Sequence, residues 1–173
     1  EYLLKARRTN RFENSPEEFD NLRFGYFGEI GGLLAAIKKS GRDQLTEPQS
    51  ALAAEELGDA LWYLVSTAHL LAISSDDLGE HCIRVLRQRF EDNDRPAVHP
   101  VSFRQIDALL DIYKEGWGLD RIRQLGTLAH SAGTLASITI TKFEAMSPPT
   151  LREHFGVLFA EWAITCGCFD LRT

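Results

Sequence analysis

Residues 55–64 read EELGDALWYL, and the spacing of their side chains decides the fold. Leu57, Leu61 and Leu64 recur three and four residues apart, and Ala68 and Leu71 continue the stripe. That period fits one face of an α-helix and not the two-residue alternation of a strand. A helix is therefore expected from about Gln49 to Ile73. Upstream, residues 15–41 open with Ser-Pro-Glu-Glu and close with Lys-Lys-Ser-Gly. Ser15 suits an N-cap, Pro16 the first helical position, Glu17 and Glu18 the positive end of the dipole, and Lys38 and Lys39 the negative end before a Gly41 stop. Phe27, Ile30, Leu34 and Ile37 keep helical spacing within it.

Downstream, a third helix is expected to start at Ser75-Asp76-Asp77, carry Ile83, Leu86 and Phe90, and end at EDNDRP. The stretch 93–101 holds two prolines without periodicity and reads as a linker. Beyond it, helices are expected near 102–115, 119–144 and 150–168. The chain is thus all-α, with a first half over 1–95 and a second over 96–173. LLAAI at 33–37 lies over TLASI at 134–138, so Gly25 falls on Gly126, Glu29 on His130 and Gly32 on Gly133. EELGDALWYL at 55–64 lies over EHFGVLFAEW at 153–162. The halves align weakly as a pseudo-duplicate, a pseudo-dimer within one chain, in which His130, His154 and Val157 replace Glu29, Glu56 and Asp59.

The 173 residues are 44% hydrophobic and 25% charged, which excludes a disordered or fibrous chain. A formal net charge of −6 argues against a general nucleic-acid binder, which needs a basic excess to displace counterions. No apolar run approaches the roughly 20 residues of a membrane helix, and no signal peptide opens the chain. Three cysteines, Cys82, Cys166 and Cys168, are too few for a disulfide framework. A cytoplasmic protein off the membrane is expected.

The charges inside the apolar helices carry the chemistry. Glu56 and Asp59 stand three residues apart, on one face about one turn from each other. Their helix is otherwise so apolar that it is expected to be buried over much of its circumference, where carboxylates need a cation or a proton. Glu29 sits in GYFGEIGGLLAAI, which has no other charge until Lys38. If the two helices run antiparallel, the three acids meet as an all-oxygen cluster suited to magnesium or manganese. Gly25, Gly28, Gly31 and Gly32 each cost helix propensity, as expected where a ligand or a neighbouring helix comes close. Tyr26, Phe27, Trp62 and Tyr63 are candidates for an aromatic slot near these acids, core packing being the alternative role. Glu-x-x-His pairs, a Gly-Lys-Ser/Thr phosphate loop and a His-Glu-x-x-His motif are all absent from the sequence, which sets aside the enzyme classes that depend on them.

These motifs resemble the MazG-type all-α nucleoside triphosphate pyrophosphohydrolases. Their pattern is Gly-Glu-x-Gly-Glu-Leu followed by Glu-Glu-Leu-Gly-Asp-x-Leu-Trp-Tyr, and EYLLKARRT at 1–9 is similar to the family's opening segment. The likeness covers about residues 1–80. It implies a MazG-like helical bundle and a magnesium-dependent enzyme, manganese being an alternative ion. Such an enzyme cleaves ribo- or deoxyribonucleoside triphosphates to the monophosphate and pyrophosphate, as in nucleotide house-cleaning. It also implies that Glu29, Glu56 and Asp59 hold the metal and are catalytic, that Lys38, Lys39, Glu55 and Tyr63 attend the substrate, and that the protein is a homodimer or a pseudo-dimer. Gly32 departs from the pattern, standing where the family has a second glutamate of the first motif. That departure leaves open a catalytically inactive, MazG-like binding or regulatory module.

Overall fold

The structure, a computed structural model, describes residues 16–43, 48–91, 100–117 and 120–173. Among them are seven helices and no strand. They are α1 (Pro16–Asp43), α2 (Gln49–Leu70), α3 (Ser75–Arg89), α4 (Phe103–Trp117), α5 (Arg121–Ser137), the short α6 (Ile140–Glu144) and α7 (Pro148–Cys168). The all-helical expectation holds. Residues 1–9, the Ser15 cap, the linker over 93–99 and the expected helix start at 119 lie outside the described residues.

Local chemistry sets most of the helix ends. Ser74 caps α3 by accepting from the Asp77 amide at 3.1 Å, and Asp76 and Asp77 favour the positive end of its dipole. Asp120 and Ser147 cap α5 and α7 in the same way. Besides α2, which ends at Leu70 and not near Ile73, two boundaries differ from the sequence expectation. Gly41 does not stop α1, which continues to Asp43, and its exposed last turn carries the Arg42–Asp43 ion pair. The helix expected over 119–144 breaks after Ser137, where Ile138 turns extended (φ −95°, ψ 124°) and is buried. The run Ile138-Thr139-Ile140-Thr141 is wholly β-branched, and β-branched residues lose side-chain freedom in a helix.

Four long helices make the body. α1 and α2 form one antiparallel hairpin, and α5 and α7 form another. α1 lies along α5, where a Cβ added at Gly133 would stand 3.8 Å from the Phe27 ring and Arg23 donates to the Ala136 carbonyl. α2 meets α7 where Trp162 Nε1 donates to the Leu57 carbonyl at 2.8 Å. α3 runs parallel to α7, with Arg152 beside Asp77 at one end and Arg89 bound to Glu161 at the other. One continuous core results, from Phe19 and Tyr26 of α1 through Leu57 and Leu64 of α2 to Phe155 and Phe159 of α7. Cys82, Cys166 and Cys168 are all buried free thiols. No helix among the described residues is long and apolar enough to cross a membrane.

Candidate acidic site at a glycine-lined helix crossing

Two glycines fix how α1 and α2 meet. A Cβ added at Gly25 would overlap the Tyr63 ring, standing 2.6 Å from its Cζ. One added at Gly32 would overlap Oε2 of Glu56, 2.9 Å from Cδ and 3.1 Å from Oε1. Seven residues up α1 thus correspond to seven residues back along α2, the register of a close antiparallel crossing. Gly28 and Gly31 are different: a Cβ at either meets nothing within 4 Å, so their faces are open. A neighbouring helix therefore comes close at Gly25 and Gly32 and does not at Gly28 and Gly31.

Between the two glycine contacts lie the acids. Glu29 of α1 stands beside Glu56 of α2 and feels the negative charges of Asp59 and Glu56. Its pKa is raised above the usual carboxylate value, first by loss of solvent, then by the charges of Asp59 and Glu56. Carboxyl groups brought close together out of water favour a proton between them or a cation beside them. Among the described residues, no Lys, Arg or His forms an ion pair with Glu29, Glu56 or Asp59.

The acids are less enclosed than the sequence suggested. From Leu64 to Ala68 the helix α2 is buried all round, but over 54–59 it keeps an open face that carries Ala54, Glu55, Gly58 and Asp59. Glu29 and Glu56 are half-buried and Asp59 is exposed. The correction follows from position: the acids sit at the rim of the crossing, and the apolar stripe of Ala53, Leu57, Ala60 and Leu61 turns to the core. Among the described residues, no group of three or more His, Cys, Asp or Glu side chains stands where it could hold a metal ion as the side chains lie. What meets is the pair Glu29–Glu56.

The other candidates divide. Tyr63 is half-buried in the notch of Gly25, with the Trp62 ring edge-on at 5.0 Å. Glu55 is exposed next to Glu56. Lys38 and Lys39 are exposed, but the helical rise sets Lys38 about 14 Å along α1 from Glu29. Tyr26, a candidate for the aromatic slot, belongs to the core: it is fully buried, and burial together with the charge of Glu161 pushes its hydroxyl pKa up. Phe27 is 46% exposed and lies toward α5.

One charged group of consequence was missed. Glu161 of α7 is 2% exposed and is held by Arg89 through two bonds of 2.8 and 2.5 Å and by Gln124 Nε2 at 2.8 Å. The signal was present, a lone acid within LFAEWAITCGC, and it is the same signal that drew attention to Glu29. In comparison with known proteins, the chain matches no family model, no curated protein and no solved structure.

Proposed function

We propose that this chain is a MazG-like, magnesium-dependent nucleotide pyrophosphohydrolase, adding water across a phosphoanhydride of a nucleoside triphosphate to give the monophosphate and pyrophosphate. The observation that carries it is the approach of the Glu56 carboxylate to the bare backbone of Gly32 and to Glu29, with Asp59 adding charge and no Lys, Arg or His paired with the three among the described residues. The donor set fits a hard divalent ion: all oxygen, anionic, at a half-open rim where water can complete the coordination sphere. Glu29, Glu56 and Asp59 would hold magnesium or manganese, with Asp59 turning in from its exposed position. The bound ion supplies charge neutralisation at the triphosphate, the main requirement of phosphoryl chemistry.

The remaining residues bind and orient. Tyr63, held in the Gly25 notch, gives the crossing a fixed aromatic wall one turn from Asp59. Glu55 adds an exposed acceptor beside the pair, and Lys38 and Lys39 offer positive charge further along α1. The two hairpins α1–α2 and α5–α7 are in keeping with a pseudo-duplicated chain whose second half supplies packing surface. There the aligned His154 is wedged against Phe143 and Phe155, and burial lowers its pKa. A homodimer of such chains is part of the same proposal.

The test is pyrophosphate release from a panel of ribo- and deoxyribonucleoside triphosphates with and without magnesium or manganese, using Glu56→Ala as the blank. Metal-dependent release that disappears in the variant supports the enzyme and names its substrate. The rival, an inactive MazG-like module with a binding or regulatory role, draws on one observation: Gly32 stands where the family has an acid. Absence of release together with absence of calorimetric metal binding, in a folded protein, would favour it.

A further inference from the structure

We propose that two copies of this chain pair through the solvent face of α1, antiparallel, about a two-fold axis passing between residues 27 and 28. The pairing rests on the homodimer named above and gives it a definite surface, without depending on the chemistry at the acids. Phe24 and Phe27 are 51% and 46% exposed, two of the four large apolar side chains left open among the described residues. Gly28, Gly31 and Ala35 are exposed beside them, as are Glu17 and Lys38 toward the two ends of the helix. At 100° per residue these seven positions fall on one face about 100° wide, away from both α2 and the Arg23 side that meets α5. A face of rings and bare backbone that is left in water marks a contact surface.

The order of residues on that face fits a second copy of itself. A two-fold contact needs each residue to meet, across the axis, another that complements it. With the axis between 27 and 28, Phe24 falls opposite the partner's Gly31, ring over bare backbone, and the same contact repeats on the other side of the axis. The two Gly28 backbones meet at the centre. In the single chain a Cβ at Gly28 or Gly31 has nothing within 4 Å, and the pairing fills that space. Glu17 falls opposite the partner's Lys38, so the ends of the stripe carry opposite charges, and neither residue has an ion-pair partner among the described residues. A parallel pairing in register would instead set ring against ring and like charge against like. Phe24 is also held ready: the Arg23 guanidinium lies 4.2 Å from its ring centroid and is itself fixed by Asp20 at 2.8 Å and by the Ala136 carbonyl. A ring already fixed loses little freedom when it docks.

The test is the oligomeric state of the whole chain, read by sedimentation velocity over a concentration series at low salt, with circular dichroism to check that each variant is folded. The unaltered chain should form a dimer. Phe24→Asp should be monomeric across the series. Glu17→Lys and Lys38→Glu should each weaken the dimer by roughly 3- to 30-fold, because each turns two exposed ion pairs into repulsions, and the double variant should restore it. Gly28→Cys should oxidise to a disulfide-linked dimer, since residues at the axis bring their Cα atoms within about 7 Å. Asn21→Cys, about 10 Å along α1 from the axis in each copy, should not. The three native thiols are buried and stay out of that reaction. Melts of Gly28 or Gly31 variants read the single chain when run in dilute protein. A chain that stays monomeric, a dimer indifferent to Phe24→Asp, or charge reversals without rescue in the double variant would overturn the pairing. Pyrophosphate release is measured separately, so such a failure leaves the proposed activity standing, and an inactive dimer leaves the pairing standing.

Discussion

Glu161 in α7 and the Glu29–Glu56–Asp59 group at the α1–α2 crossing are acids in otherwise apolar helices, and the protein treats them in opposite ways. Glu161 is enclosed and answered from within, by the guanidinium of Arg89 and the amide of Gln124. At the rim of the crossing Glu29 and Glu56 stand side by side with Asp59 exposed nearby, and none of the three has an ion-pair partner among the described residues. A carboxylate in low dielectric must be neutralised. Where the chain supplies the counter-charge, the acid holds the fold together. Where no described residue does, the acid calls for a proton or a cation from elsewhere.

The sharpest way to break this comparison is to remove one acid of each kind. Glu161→Ala leaves Arg89 and Gln124 facing an apolar hole between α3, α5 and α7. It should cost about 3 kcal/mol in urea-melt stability, the low end for a broken buried pair because Arg89 is partly solvated. Glu56→Ala should cost under about 0.5 kcal/mol, or stabilise the metal-free protein, because it relieves repulsion at a half-open site. Its metal-dependent pyrophosphate release should nonetheless fall below detection. If the two variants lose similar stability, the crossing acids are structural and the distinction fails.

The glycines of α1 allow a finer cut. Gly25→Ala should lose stability, since its new methyl meets the face of a ring, which cannot bend aside as a carboxylate tip does. Gly31→Ala has open space around it and should gain about 0.5–1 kcal/mol by the ordinary helix preference. Thermal melts of the two should move in opposite directions, and parallel shifts would refute the register in which Gly25 and Gly32 form the crossing.

Much of the fold was legible because helix signals are local. The stripe from Leu57 to Ala68 and the Ser75-Asp76-Asp77 start of α3 mark their helices from neighbouring residues alone. The break at Ile138 was missed because no glycine or proline announces it, only a β-branched run whose preference is weak. Juxtaposition of Glu29 with Glu56 was legible only given an antiparallel hairpin, which the short connection allowed but did not fix. Which of four glycines face a helix was beyond the sequence, since one residue rotates a face by 100° and all four lie within eight residues. The arginine that serves Glu161 comes from 72 positions away, and no pattern along the chain points to it.

The smallest effect tests the crossing through its titration. Glu29 has a folded-state pKa raised above its ordinary value of 4.5 by desolvation and then by Asp59 and Glu56. An acid shifted upward binds its proton more tightly folded than unfolded. Its contribution to stability is therefore fully present below about pH 4.5 and is lost as pH rises through the raised value. Solvent screening at this rim should hold the effect to about 1 kcal/mol or less. Metal-free protein should show that decline in melts between pH 4 and 7, and Glu29→Gln should flatten it. Saturating magnesium should flatten it too, because the ion supplies the positive charge that the proton otherwise provides. A decline of the same size in Glu29→Gln would assign the titration elsewhere and remove Glu29 as its source.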